Sequence, residues 1–176
     1  LVTYAEAEVQ ITYRRTWEQI SSIVSATGTA AIRSELESAL TAFSSECVLR
    51  ISYFDQHEDY IQRLVREAYL ASPAHALDLP DATVSIYPNN GRQRIVEIML
   101  DYHLDRAELQ KRQAALSGTC QQLVQALRTD GTEKPDALTV AQTLVTMCRY
   151  YTDGGATAYH ALIQGSANSE GLALAQ

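Results

Sequence analysis

The side chains able to do chemistry are few in this chain, and they are scattered. Cysteine occurs at Cys47, Cys120 and Cys148, and histidine at His57, His75, His103 and His160. Three cysteines with no Cys-x-x-Cys pair do not make a disulfide framework. The histidines lie too far apart for the ligand spacing of a zinc site. No metal and no cofactor is expected. Acidic residues three apart, Asp55 with Glu58 and Asp105 with Glu108, stand before apolar runs. That is the spacing of helix caps rather than of a glycosidase dyad. The last twenty residues are more informative. Asn168-Ser169-Glu170-Gly171 leads into the Ala-rich run Leu172-Ala173-Leu174-Ala175, which places Ser169 in the first turn of a helix. A hydroxyl there can satisfy a backbone donor. To act as a nucleophile it needs a strong base beside it.

The segment before Ser169 carries further pattern. A helix ending at Cys148-Arg149-Tyr150-Tyr151 is followed by an Asp153-Gly154-Gly155 turn, and then by a short Ala/Tyr helix, Thr157-Ala158-Tyr159-His160-Ala161-Leu162-Ile163-Gln164, that ends at Gly165. The whole stretch from Asp136 to Ala175 resembles the approach to the active-site helix of the transglutaminase-like superfamily, a papain-type thiol fold. Family members carry a nucleophilic Cys, then Glu-Gly and an Ala-rich helix, where this chain has Ser169, Glu170 and Gly171. The resemblance implies a catalytic position at Ser169 occupied by the wrong nucleophile. A thiolate is stabilised at a helix N-terminus; a hydroxyl has a far higher pKa. It also implies that the family's His and Asp fall beyond Gln176. Residues 136–176 are then the amino-terminal helices of an incomplete transglutaminase-like domain, and residues 1–129 an accessory domain of the kind found in bacterial extracellular members.

Two other groups near the motif read as structural. Cys148 continues the stripe Leu138, Ala141, Val145, where a thiol is usually a small core residue. His160 sits in a segment that the family uses structurally, which implies a surface or half-buried imidazole rather than a general base.

Upstream, local signals set the order of elements. Val9, Ile11 and Tyr13 alternate as a strand. Thr16 and Gln19 form a capping box opening a helix along Trp17, Ile20, Val24, Ile32, Leu36, Leu40 and Phe43. Gly28 weakens that helix by about 1 kcal/mol relative to Ala, and two helices meeting there is the alternative. Residues 47–54 form a strand with Leu49, Ile51 and Tyr53 on one side. Asp55 caps a helix that stops at Ser72-Pro73, and 73–81 is a loop. A hairpin follows: a strand over 82–87, a Pro88-Asn89-Asn90-Gly91 turn, and a strand alternating through Val96, Ile98, Leu100, Tyr102 and Leu104. The hairpin is expected at the centre of the sheet. Asp105 opens a long helix through Leu109, Leu116, Cys120, Leu123 and Leu127. The polar, aperiodic run 129–135 is the boundary, and three helices follow it. The fold class is α+β: a β-α-β-α-β-β-α module with one mostly antiparallel sheet and helices packed on one face, followed by the first helices of a papain-like core.

The chain has 176 residues and a net charge of −7. An acidic chain lacks the basic face that nucleic acid requires, and no apolar run is long enough to span a bilayer. Tyr53, Tyr87 and Tyr102 on strands pair across a sheet or form a platform for carbohydrate or peptide. The expected function is that of a non-catalytic fragment or degenerate member of the transglutaminase-like family, secreted or on the cell surface. Its role would be a scaffold or a binder of protein, peptide or a cell-wall component. The alternative is part of an active transglutaminase or thiol protease whose His and Asp follow residue 176.

Overall fold

The computed structural model describes residues 15–88, 90–128 and 136–176. The strand expected at 9–13 and the boundary at 129–135 lie outside them. The described chain is α+β. Thr16 caps α1 (Trp17–Ser21) with the expected box, its Oγ1 accepting from Gln19 N while Gln19 Oε1 accepts from Thr16 N. The helix stops after 5 residues, giving way to β1 (Val24–Ala26) and then α2 (Gly28–Thr41). The single long helix expected over 17–43 is thus two helices with a strand between them. Gly28 opens α2 at φ +80, in the left-handed region that L side chains rarely adopt. Of the expected stripe, Ile32, Leu36, Leu40 and Phe43 are buried, whereas Trp17 and Val24 are exposed.

β2 (Glu46–Ser52), α3 (Glu58–Ala71), β3 (Asp81–Tyr87), β4 (Gln93–Asp101) and α4 (Arg106–Leu127) follow. The sheet order is β1-β2-β4-β3, with β1 parallel to β2 and the other pairs antiparallel. β4 is central, as its alternation implies, but β3 is an edge, so only one arm of the hairpin sits mid-sheet. Leu49 and Ile51 of β2, Ile86 of β3, and Val96, Ile98 and Leu100 of β4 meet Ile32 and Leu36 of α2 and Ile61, Leu64, Val65 and Ala68 of α3. Each such Leu, Ile or Val side chain contributes about 1.5–3 kcal/mol on burial. Tyr53 does not continue the inward face of β2. The strand ends at Ser52, and Tyr53 turns out to solvent at φ +56.

Two caps differ. Asp105 accepts from Glu108 N at 2.8 Å and caps α4. Asp55 does not cap α3; the N-cap is His57, without a side-chain bond. Buried Arg94 organises that turn instead, donating to the carbonyls of Phe54, Gln56 and Pro88, each at 3.1 Å. The loop after α3 is pinned through Asp78, whose Oδ2 accepts from the backbone N–H of His103 and Leu104.

Past the undescribed 129–135 come α5 (Ala137–Met147), β5 (Arg149–Gly155), a π-helical turn (His160–Gln164), β6 (Ser166–Ala167) and α6 (Ser169–Ala175). Three helical pieces are present, as expected, but the helix thought to end at Tyr151 ends at Met147. Arg149–Gly155 is a strand, parallel to β6. Its register is irregular: Tyr150 and Gly155 both stand opposite Ala167, so 151–154 are taken up as a bulge. A second core joins this part to the rest, with Phe43, Leu77, Leu109 and Leu116 packed around Ala158.

Candidate functional site

Ser169 is the first residue of α6, and three close approaches put it there. Asn168 caps the helix, its Oδ1 accepting from Gly171 N at 3.0 Å. The Asn168 N–H donates to Gly155 O at 3.1 Å, so the helix start hangs from the end of β5. Gly171 then stands on that same carbonyl: a Cβ there would lie 2.5 Å from Gly155 O and 2.9 Å from Ala167 Cβ. A Cβ at Gly154 would lie 2.7 Å from the carbonyl carbon of Ala167. These glycines serve close backbone approach. Ser169 itself is exposed. Among the described residues, no side chain hydrogen-bonds to its hydroxyl.

His160 is near this seat but faces another way. Its imidazole packs against Gly155, in the space a Cβ at 155 would occupy. Nδ1 lies 2.6 Å from Thr157 Oγ1. Arg112 lies over the neighbouring Tyr159 ring at 5.0 Å. Half-burial, and then the Arg112 charge, hold the imidazole below its ordinary pKa. His160 is the half-buried histidine the sequence implied, and Thr157 at i−3 with the Arg112–Tyr159 contact is the part sequence reasoning missed. The Thr-x-x-His spacing is a legible signal for the first; Arg112 lies 48 positions from His160 and leaves none.

The other paired histidine, His103, is bound by Asp78, Nδ1 to Oδ1 at 2.9 Å, with Asp81 at 3.6 Å from Nε2. The Asp78 hydrogen bond, then its charge, raise the His103 pKa. Cys148 is buried with Ala161 and Ala167, a core position as expected. The rest of its stripe is offset: Leu144 is buried, while Leu138 and Val145 are 65% and 79% exposed. Thr139, Gln142, Thr143 and Thr146 share one side of α5, yet Thr139 and Thr143 are half-buried while Val145 is exposed, so the polar stripe does not mark the outer face. The inner face, Val140, Leu144 and Met147, lines a groove of about 950 Å³ against Leu123, Val124 and Leu127 of α4. Tyr87 on edge strand β3 is exposed, whereas Tyr102 is packed edge-on against Phe43. Among the described residues no group of three or more His, Cys, Asp or Glu could hold a metal ion. No described helix is long and apolar enough to cross a membrane.

No protein-family model, curated protein or solved structure matches the chain.

Proposed function

We propose that this chain is a degenerate, non-catalytic member of the transglutaminase-like superfamily, secreted or displayed on the cell surface. Residues 136–176 correspond to the first helices of the papain-like core, and residues 1–129 to an accessory domain. The role is that of a scaffold or partner-binding module for a protein, peptide or cell-wall component. One observation carries the reading. The position of the family's cysteine holds a serine, exposed on the first turn of α6, while both histidines near the motif or paired with a carboxylate are engaged elsewhere: His160 with Thr157 and His103 with Asp78. A serine hydroxyl becomes a nucleophile only when a base removes its proton and a third group orients that base. Leu138 and Val145, exposed on the outer face of α5, support a module that meets another protein surface.

The test is turnover. The chain and its Ser169→Cys variant are each incubated with a glutamine-containing protein plus a fluorescent amine, and separately with a peptide mixture. The expected result is no amine incorporation and no hydrolysis by either. Turnover by the variant that is abolished on further mutating His160 or His103 would overturn the reading, because the base would then lie within this chain.

A further inference from the structure

We propose that His160 is a pH-operated positioning residue for the first turn of α6, seating it when neutral and loosening it when protonated. The proposal rests on reading α6 as the site, and concerns how that site is held.

The geometry forms one connected path. The imidazole lies against Gly155. The Gly155 carbonyl accepts the Asn168 N–H at 3.1 Å, and a Cβ at Gly171 would lie 2.5 Å from the same oxygen. A displacement of Gly155 therefore moves both the cap of α6 and its third residue. On the other side of the ring, Thr157 Oγ1 accepts the backbone N–H of His160 at 3.3 Å and lies 2.6 Å from Nδ1. In the Nε2–H tautomer of the neutral ring, the Thr157 hydroxyl donates to Nδ1. Thr157 is buried, 6% exposed. A proton arriving on Nδ1 forces that hydroxyl to turn round and accept, and its own O–H loses its partner on a largely buried residue.

The new charge is also badly placed. Arg112 of α4, stacked over the neighbouring Tyr159 ring, already acts against a charge on the imidazole, its own carboxylate partner Glu108 lying 2.8 Å from Nε. Tyr159 of the same turn stands edge-on at 6.3 Å. Asp153 of β5 is exposed, and Glu170 of α6 is paired with Arg66 of α3 at 3.0 Å. Burial, then Arg112, set the imidazole below its ordinary value. By linkage, a histidine depressed in the seated state binds fewer protons there than in the released state. The seat is therefore firm above the ordinary histidine pKa and weakens as pH falls through the depressed value.

Amide and imidazole resonances followed from about pH 8 to pH 5 test this. The amides of Gly155, Asn168 and Gly171 should shift with one midpoint, that of the His160 ring. In His160→Gln they should lose that titration while the spectrum stays dispersed. In Arg112→Gln the midpoint of ring and amides should rise together. Amides that stay flat through the ring's midpoint, or that keep the transition in His160→Gln, would overturn the proposal. If His160→Gln fails to fold, Arg112→Gln decides: a ring midpoint that moves without the amides refutes the coupling. Ser169 is untouched in every sample, so this outcome is separate from the turnover test of the functional reading.

Discussion

Gly171 and Gly118 both lie in helices, and the same substitution should act on them with opposite sign. Replacing a helical Gly by Ala gains about 0.5–1 kcal/mol through backbone entropy and helix propensity. At Gly118, inside α4, a Cβ meets nothing within 4 Å, so Gly118→Ala should stabilise by that amount, about 0.5–1 kcal/mol. At Gly171 the Cβ would stand 2.5 Å from Gly155 O, 2.9 Å from Ala167 Cβ and 3.1 Å from Thr157 N. Two of these are backbone atoms and the third is a methyl fixed to its own backbone, so no flexible side-chain end can give way. Restoring ordinary contact requires a shift of about 1 Å between α6 and β5. Overpacking of this kind costs about 1–3 kcal/mol, more than propensity returns. Gly171→Ala should therefore destabilise by about 1–2 kcal/mol net. Urea unfolding of the three proteins measures this through the midpoint at constant slope, and thermal unfolding should show about 2–4 °C per kcal/mol. A Gly171→Ala protein at or above wild-type stability would mean that α6 does not rest on Gly155, and the description of the site would fall with it.

Arg94→Leu should destabilise by about 2–4 kcal/mol in urea unfolding, because it strips three carbonyls of a charged donor; a loss under about 1 kcal/mol would show those carbonyls find water instead. His103 is held above its ordinary pKa by Asp78, so its clamp contributes fully below the ordinary value and fades as pH rises through the raised one. An NMR titration should place His103 above His160, and Asp78→Asn should return His103 towards the ordinary range; an unchanged midpoint would refute the pairing. Burial, then Glu35 and Glu46, push the Cys47 thiol up to about 11, and Cys148 is buried, whereas Cys120 is half-buried. A disulfide reagent on the native protein should modify Cys120 first and the other two only after denaturation; rapid modification of all three would contradict the cores described. Glu170→Gln should cost no more than about 0.5 kcal/mol, since the Arg66 pair is largely solvated, and a loss well beyond that in urea would make Arg66 a structural anchor of α6.

Local chemistry carried much of this fold. The Thr16 capping box, the Asp105 cap, the stop at Ser72-Pro73 and the alternation of Val96, Ile98 and Leu100 each depend on residues within about four positions of one another. Ser169 at a helix start belongs with them, because Asn168 and Gly171 are its neighbours. Other features depend on contacts that no short window contains. Val24–Ala26 becomes a strand because it lies beside Leu49–Ile51 in parallel register, while its own periodicity fits a helix equally well. Arg149–Gly155 becomes a strand because Ser166 and Ala167 return alongside it. The polar stripe Thr139, Gln142, Thr143 and Thr146 does not mark the outer side of α5, so only the tertiary setting selects Leu144 over Val145 as the buried residue. The turn after β2 is shaped by Arg94 from β4, some forty positions away, rather than by Asp55. The seat of Ser169 divides the same way. Its residue type and its helix position were readable along the chain, but the first-turn donor expected to bond the Ser169 hydroxyl is satisfied by Asn168 instead. That Gly155 would carry both the His160 ring and the start of α6 depended on backbones meeting across β5 and β6, and steric closeness between distant segments has no signature in local spacing.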